Sequence, residues 1–264
     1  MSRRRLDAEL VRRGLASSRS EAREAVRAGI VIVAGAPASK ASTLVAASDP
    51  VNLTKRPRNY VSRGGDKLRS ALDRFELDPA GRYCLDAGAS TGGFTDCLLR
   101  AGAARVVAVD VGYGQLAWRL REDPRVTVLE RTNARDLTAD VLPLEPNMVV
   151  ADLSFISLRL VVSALALVAD ARADFVVLVK PQFEAGIAEV GKGGVVRDPI
   201  VWRHAIDGVA QAFRDVGATP LAVMASPIIG PAGNREFLLH ARASDGEPTL
   251  DAAAAIAEAI GSRP

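Results

Sequence analysis

Long uninterrupted apolar runs are absent from this sequence. The longest candidate, residues 158–169, contains Arg159 and is shorter than the roughly 20 apolar residues that a membrane-spanning helix needs. The basic N-terminus is not followed by the apolar core of a secretory signal. We therefore expect no transmembrane helix, no membrane partner and a cytoplasmic location.

Cysteine and histidine are scarce as well. The chain has two of each, Cys84 with Cys97 and His204 with His240. The cysteines give neither a disulfide framework nor a metal-ligand spacing, and we interpret them as buried free thiols in a reducing compartment. Two scattered histidines argue against a zinc site and against a Ser-His-Asp triad. No metal is expected.

What is present is the composition of a folded protein with an uneven charge. The 264 residues are 48% hydrophobic and 25% charged, which suits one large domain or a catalytic domain with a small module. Residues 1–70 contain 15 Lys and Arg against 6 Asp and Glu, a net charge of +9, whereas the whole chain carries +3. Residues 71–264 therefore carry −6. A basic head on an acidic body favours a polyanion-binding module, with a merely solvated basic surface as the alternative.

The N-terminal segment, residues 1–57, is predicted to form a small α+β module. Asp7 is predicted to cap a first helix, and residues 18–21 form a capping box for a second. Strands are predicted over 30–33 and near 51–53. Long cationic side chains displayed on such helices suit contacts with nucleic-acid phosphates. The candidates for these contacts are Arg3, Arg4, Arg5, Arg12, Arg19 and Arg23, with Arg63 just beyond the module.

A charged, proline-containing run leads into a predicted linker over 58–62, and a second domain is predicted over 63–264. Strands and helices alternate in it, and most strands are short, branched and apolar, as buried parallel strands are. This pattern predicts a doubly wound, Rossmann-like α/β domain. Strands are predicted near 82–86, 105–110, 125–129, 147–151, 174–179, 219–225 and 235–242, and helices near 63–76, 92–101, 113–121, 157–169, 198–216 and 249–261.

A glycine-rich turn joins the first predicted strand of this domain to a helix. In a doubly wound sheet, a nucleotide-like ligand binds at such a turn, because glycines let the backbone approach it closely. The turn is not a strict G-x-G-x-x-G, and a glycine needed for tight packing is the alternative. The candidate cofactor residues in and around the turn are Asp86, Gly88, Ala89, Ser90, Thr91, Gly92, Gly93 and Phe94.

Further cofactor candidates follow the next strands. Asp110 ends the second strand, where a carboxylate can accept both ribose hydroxyls of a nucleoside, although a helix-capping role is the alternative. Asn133 and Ala134 follow the third strand and could touch an adenine edge, or Asn133 could be a turn residue. These features fit adenosylmethionine and NAD equally.

Two ionisable residues end the fourth and fifth predicted strands, Asp152 and Lys180. Both should lie at the sheet edge that carries the glycine turn, where Asp152 is also a cofactor candidate. A lysine at the tip of a buried strand is costly unless it is paired or functional. A transferase acting on a hydroxyl needs such a pair and a hydride-transferring enzyme does not; a structural ion pair is the alternative. From spacing alone, Lys67 and Glu236 would be solvated surface charges.

Four motifs together resemble one family. They are Asp-Ala-Gly-Ala-Ser-Thr-Gly-Gly-Phe from position 86, Asp-Val-Gly-Tyr-Gly-Gln-Leu from 110, Asp-Leu-Ser-Phe-Ile-Ser-Leu from 152 and Val-Lys-Pro-Gln-Phe-Glu from 179. This ordered set resembles the TlyA family, bacterial rRNA 2′-O-methyltransferases often labelled haemolysins and related to the FtsJ methyltransferases. The N-terminal segment is similar to the small RNA-binding domain of a small-subunit ribosomal protein and of pseudouridine synthases.

The resemblance implies S-adenosylmethionine as cofactor and a Lys-Asp-Lys-Glu catalytic set. Matched by motif, the set is Lys67, Asp152, Lys180 and Glu236. It also implies rRNA or ribosomal subunits as partner and methylation of cytidine riboses. Some members act on both 16S and 23S rRNA, and others, with shorter N-termini, on 23S alone; the arginine-rich start resembles the former. The linker run Arg58-Asn59-Tyr60-Val61 differs from the family's version.

Three other functions remain as alternatives. A membrane-active haemolysin would need spanning segments or an amphipathic membrane-binding helix, and neither stands out. An NAD-dependent oxidoreductase would not need Asp152 and Lys180. A non-catalytic rRNA-binding protein would not need the complete catalytic set.

Overall fold

The computed structural model describes residues 3–27, 29–54, 60–186, 189–243 and 250–261. The chain divides into two compact units, Met1–Asn59 and Tyr60–Pro264. The predicted linker, 58–62, spans this division, and its first two residues lie outside the described part of the chain.

The first unit is a small α+β module. Its elements are β1 (Arg3–Arg5), α1 (Leu6–Arg12), α2 (Arg19–Arg27), β2 (Val31–Val33), β3 (Ala36–Pro37), β4 (Leu44–Ala46) and β5 (Val51–Leu53). Strand β1 pairs with β4, and β2 pairs with both β3 and β5, all antiparallel. The apolar faces of the two helices meet the strands in one core that includes Leu6, Leu10, Val26, Val31 and Val45.

Two local predictions in this unit need correction. Asp7 does not cap the first helix, because α1 begins at Leu6 and Arg5 is the capping residue without a side-chain cap. Asp7 instead lies inside the first turn, fully buried. The capping box is half formed. Ser18 Oγ accepts a hydrogen bond from Glu21 N at 3.2 Å, whereas the Glu21 carboxylate turns to Ser17.

The second unit is built on a seven-stranded sheet. Its strands are β6 (Tyr83–Ala87), β7 (Arg105–Asp110), β8 (Val126–Glu130), β9 (Met148–Ala151), β10 (Asp174–Val179), β11 (Ala218–Ala225) and β12 (Phe237–Ala243). Its helices are α3 (Arg63–Arg74), α4 (Gly93–Arg100), α5 (Trp118–Arg121), α6 (Val162–Val168), α7 (Pro181–Glu184), α8 (Pro199–Asp215) and α9 (Ala252–Gly261).

The strand order, β11-β12-β10-β9-β6-β7-β8, makes this a doubly wound sheet, as predicted. Strands β6 to β10 are mutually parallel, and β12 runs antiparallel between β10 and β11. From β6 the chain winds outward to β7 and β8, and then returns to β9 on the other side. The order therefore reverses between β6 and β9, and a crevice opens at such a switch point, outside the carboxyl ends of the strands.

Helices cover both faces of the sheet. Helices α3 and α4 pack on one face, against residues such as Val106 and Val150. Helices α6, α8 and α9 pack on the other face, against residues such as Val107 and Phe175. Because both faces are buried, nearly every residue of β9 and β10 is apolar. No helix in the described ranges combines the length and apolar character that crossing a membrane requires.

The main departure from the predicted elements lies between β7 and β8. A helix is predicted over 113–121, but the structure has one over Trp118–Arg121. Asp110 Oδ1 accepts a hydrogen bond from Gly112 N, and Glu130 Oε1 accepts one from Gly114 N. These backbone donors are committed to carboxylates, and Gly114 has φ +69°, so the first half of the segment forms a loop.

Candidate active site

The crevice between β6 and β9 depends on a glycine. Gly88 has φ +85°, and a Cβ added there would lie 2.6 Å from the carbonyl oxygen of Asp152. Gly88 N and Ala89 N both donate to Val109 O, at 2.8 and 3.0 Å. The turn is thus fastened to β7 while its backbone touches the end of β9. Close backbone packing, the alternative considered for this glycine, is one part of its role.

A cavity of about 1070 Å³ opens at this point. Of the predicted cofactor residues, those in its wall are Gly88, Ser90, Asp110, Asn133, Ala134 and Asp152. Two other glycines of the turn pack against the protein. A Cβ at Gly92 would meet Leu120 at 2.3 Å, and one at Gly93 would meet Ser62 Oγ at 2.2 Å. The turn therefore divides between a face toward the cavity and a face toward α3 and α5.

Asp110 is held rigidly in the cavity wall. Its Oδ2 accepts a hydrogen bond from Ser90 N at 2.8 Å, and its Oδ1 accepts one from Gly112 N at 2.7 Å. No helix begins at Asp110 in the described structure, so its position does not support the helix-capping alternative. Each carboxylate oxygen can accept more than one hydrogen bond, so the group remains able to bind sugar hydroxyls.

Asn133 is both a turn residue and a cavity residue. It caps a short 3₁₀ helix, with Oδ1 accepting a hydrogen bond from Arg135 N at 3.1 Å. It also lies in the cavity wall beside Ala134. The two interpretations of Asn133 are therefore compatible, because capping occupies the carbonyl oxygen and leaves the amide NH₂ to other partners.

Asp86 lies fully buried at the end of β6. Its Oδ2 accepts a hydrogen bond from Thr95 Oγ1 at 2.6 Å, and its Oδ1 has no hydrogen-bond partner among the described residues. Burial raises the pKa of this carboxyl to about 7. A buried carboxylate oxygen without a partner fits a cofactor that carries a cationic or hydrogen-bond-donating group.

Asp152 and Lys180 form an ion pair at the edge of the crevice. Lys180 Nζ lies 2.6 Å from Asp152 Oδ1 and donates a hydrogen bond to Ser154 Oγ at 2.8 Å. Lys180 is buried, with 8% of its surface exposed, whereas Asp152 is partly exposed and lines the cavity. The predicted pair therefore exists, and its ammonium group is fixed by two partners.

Lys67 and Glu236 form a second pair. Lys67 Nζ lies 2.5 Å from Glu236 Oε2, and both residues are buried. The expectation from spacing, that each is a solvated surface charge, is wrong. Their pairing explains the burial, because a charged group leaves water at acceptable cost when it is paired and hydrogen-bonded.

The sheet brings the two pairs to one edge. Asp152 follows β9 and Lys180 follows β10, two neighbouring parallel strands. Glu236 immediately precedes β12, whose first residue pairs with the last residue of β10. Because β12 is antiparallel, its start lies at the carboxyl end of β10. Helix α3 then carries Lys67 to Glu236.

Several residues of the site were not predicted. Ser154 holds Lys180, and the buried carboxylate of Glu184 accepts hydrogen bonds from Ser157 Oγ and Leu158 N. Phe155 is 91% exposed with φ +64°, and its ring centroid lies 5.3 Å from that of Phe183, both in the cavity wall. The sequence feature that could have indicated Ser154 and Phe155 is the polar and aromatic run that directly follows β9.

The predicted RNA-binding arginines differ in their surroundings. Arg3 and Arg4 lie on exposed β1, and Arg63 is exposed at the start of α3. Arg12 pairs with buried Glu9 at 2.6 Å. The other three, Arg5, Arg19 and Arg23, all pair with Asp7.

Within the described ranges, no group of three or more His, Cys, Asp or Glu side chains is arranged to hold a metal ion.

Comparison with known proteins agrees with this arrangement. Residues 60–243 match the FtsJ-like methyltransferase family, and residues 4–51 match the S4 domain. A Mycobacterium tuberculosis protein named 16S/23S rRNA (cytidine-2′-O)-methyltransferase TlyA is 54% identical over 92% of this chain and 91% of its own length. The Bacillus subtilis protein YqxC, which has a provisional rRNA methyltransferase name, is 46% identical over 89% of this chain and 84% of its own.

A solved structure agrees as well. A Streptococcus thermophilus protein provisionally described as a hemolysin is 37% identical and superposes with a TM-score of 0.78, over 98% of this chain and 96% of its own. The chain therefore belongs to the TlyA family of FtsJ-like methyltransferases, and S-adenosylmethionine is its cofactor, as the family resemblance implied.

Proposed function

We propose that this methyltransferase transfers a methyl group to the 2′-hydroxyl of cytidine riboses in 16S and 23S rRNA, in the cytoplasm. The name of the Mycobacterium tuberculosis relative and the S4 match support the substrate. The observation that carries the chemistry is the pair of buried lysines, each bound to a carboxylate, at the edge of the sheet where the cavity opens. A hydroxyl acceptor needs such groups, because it is a poor nucleophile at neutral pH.

The cofactor site is the cavity wall. Asp110 is placed to accept the ribose hydroxyls, with Gly88, Ser90 and Asn133 around it. When bound, S-adenosylmethionine supplies a methyl group on a sulfonium sulfur, which is already electrophilic. The remaining task of this chain is to position the acceptor and handle its proton.

Lys180 is the group assigned to the 2′-hydroxyl. As an ammonium it stabilises negative charge developing on the 2′-oxygen, and as an amine it takes the hydroxyl proton at Nζ. Asp152 and Ser154 hold that nitrogen in place. Glu236 holds Lys67 in the same way. One carboxylate for each lysine offsets the repulsion between the two cations.

Position is the main contribution of such a site. Pre-organisation of reacting groups can lower a barrier by about 7–11 kcal/mol. We therefore expect Lys180→Ala to abolish methyl transfer while S-adenosylmethionine affinity remains within a few-fold of wild type. The measurement is transfer of tritium from labelled S-adenosylmethionine to purified ribosomal subunits and free rRNA, with cofactor affinity measured by calorimetry. Lys192→Ala removes an exposed lysine of the same unit and serves as the matched control.

The outcomes separate the alternatives. Label in rRNA that disappears in Lys180→Ala but not in Lys192→Ala would support the proposed function, and the labelled subunit would identify the target. Loss of cofactor binding together with activity would make Lys180 a cofactor or structural residue. An absence of label in every RNA, with the cofactor bound, would favour another acceptor or a non-catalytic RNA-binding protein.

A further inference from the structure

Three arginines of the first unit converge on one buried carboxylate. Arg5 donates to both oxygens of Asp7, from Nε to Oδ1 and from one terminal nitrogen to Oδ2, each at 3.1 Å. Arg19 donates to Oδ2 at 3.0 Å, and Arg23 Nε lies 3.7 Å from the same oxygen. Asp7 and these three arginines form one group, the Asp7 arginine cluster.

Asp7 and its partners differ sharply in exposure. The Asp7 side chain is 0% exposed, whereas those of Arg5, Arg19 and Arg23 are 47%, 52% and 52% exposed. Hydrogen bonding to Arg5 lowers the pKa of Asp7 to about 2, so its charge persists at neutral pH. The anion is therefore hidden beneath three cations that reach the surface.

The cluster keeps capacity for another anion. A guanidinium has five N–H donors, and Asp7 takes two from Arg5 and one from Arg19. The three arginines and one aspartate leave a formal charge of +2. A phosphate oxygen binds well to such forked donors, and side chains already fixed lose less entropy when they bind.

The neighbouring carboxylate, Glu9, supports a different arrangement. It pairs with Arg12 and Arg13, but Arg13 is 19% exposed and donates to the carbonyl oxygens of Asp49 and Ala47. Arg13 therefore ties α1 to the turn between β4 and β5. The Asp7 partners show no comparable attachment to distant backbone in the described structure.

We propose that Asp7 is a positioning residue for RNA binding, which holds Arg5, Arg19 and Arg23 together as one preformed site for RNA backbone phosphate. The inference rests on the proposed function for its choice of RNA as the ligand. Asp7 is buried and carries a charge opposite to that of the arginines, and it nevertheless strengthens RNA binding by holding them in place.

The sign of the effect makes the proposal testable. Asp7→Asn adds one unit of positive charge to the module, so simple electrostatics predicts tighter binding of a polyanion. Loss of positioning predicts the reverse, and we expect at least about five-fold weaker binding of transcribed 16S and 23S rRNA. The control is Glu21→Gln, which makes the same charge change at a carboxylate bonded to Ser17. It should bind as tightly as wild type or more tightly.

Kinetics and a double-mutant cycle separate positioning from stability. Asp7→Asn should raise the KM for rRNA and leave kcat unchanged at saturation. In an Arg19→Gln, Arg23→Gln background it should have much less effect, because its partners are gone. An equal effect in both backgrounds, or binding tighter than wild type, would overturn the proposal.

A second variant avoids the buried position in case Asp7→Asn unfolds. Arg19→Lys keeps the charge but lacks the fork that can bridge carboxylate and phosphate, so rRNA binding should weaken by several-fold. Arg27→Lys, exposed on the same helix, is the control and should bind as wild type does. Equal binding by both variants would contradict the proposal. If wild type binds rRNA but methylates none, the proposed function fails while this comparison still decides the inference.

Discussion

At the scale of single residues, Asp86 shows how burial changes the pKa of a carboxyl group. Its carboxyl is fully buried, and burial raises its pKa from the ordinary 3.8 to about 7. A group that binds its proton more tightly in the folded state stabilises that state below its unfolded pKa. This stabilisation diminishes as the pH rises from about 4 to about 7, because the unfolded state releases its proton there while the folded state keeps it, and it is fully lost above 7.

We therefore expect Asp86→Asn to change the pH dependence of stability. In the cofactor-free protein, wild type should lose more stability than Asp86→Asn between about pH 5 and 8. The measurement is thermal unfolding across that range, compared as the difference between variant and wild type. Asp123→Asn is the control, because its pKa is lowered by Arg125 and it titrates below this window. Parallel curves for wild type and Asp86→Asn would show that Asp86 ionises normally.

The sequence predicts a site residue when a local sequence pattern reveals its position. It does not predict a residue whose role depends on a partner far away in the sequence. Asp152 and Lys180 follow from their positions at the tips of buried strands. Lys67 and Glu236 are 169 positions apart, so no local pattern reveals that they pair, and the family resemblance alone selected them. The cap predicted at Asp7 is wrong because α1 begins one residue earlier, at Leu6, and the Asp7 carboxylate binds arginines instead, the furthest of them at position 23.

At the scale of elements, helix α7 connects the two sides of the catalytic edge. It begins directly after Lys180, and its last residue, Glu184, is buried. Glu184 accepts hydrogen bonds from Ser157 Oγ at 2.5 Å and from Leu158 N at 2.7 Å. These bonds fasten the loop that follows Asp152 to the helix that follows Lys180.

Glu184→Ala should loosen that loop. It leaves Leu158 N buried without this acceptor, which costs roughly 1–3 kcal/mol of folding stability. We also expect kcat to fall more than KM for rRNA changes, because Asp152 and Ser154 lose their fixed position. Thermal unfolding and methyl-transfer kinetics test both effects. Glu184→Gln keeps an acceptor and should be milder; equal losses in the two variants would point to the charge rather than the hydrogen bonds.

The sequence predicts a helix or strand correctly where local interactions determine that element. The strands β7 and β10 have their predicted bounds, because a run of branched apolar residues has few other places in a buried sheet. The segment before Trp118 was predicted as helix, but its backbone donors bond to Asp110 and Glu130. Helix α7 was not predicted, because four residues carry no periodicity.

At the scale of the whole molecule, the two units carry net charges of opposite sign, and we expect the basic one to attract RNA and the acidic one to catalyse methyl transfer. The first unit, residues 1–59, contains 12 Lys and Arg against 5 Asp and Glu and carries +7, so residues 60–264, the second unit, carry −4. RNA should therefore be drawn to the basic end, while the acidic part avoids non-specific contact with it. The catalytic crevice lies in that acidic part, in the second unit. Binding and chemistry should then respond differently to ionic strength.

Salt titration of the full chain tests this division. If the basic end neutralises about four phosphates, rRNA affinity should fall on the order of 10²-fold between roughly 50 and 200 mM monovalent salt. S-adenosylmethionine affinity, set by hydrogen bonds inside the cavity, should change by less than about two-fold. Filter binding of rRNA and calorimetry of the cofactor, in matched buffers, measure the two. A flat rRNA affinity would mean that uncharged contacts dominate, and parallel losses would mean that salt acts on the fold, because a specific electrostatic footprint affects one ligand and not the other.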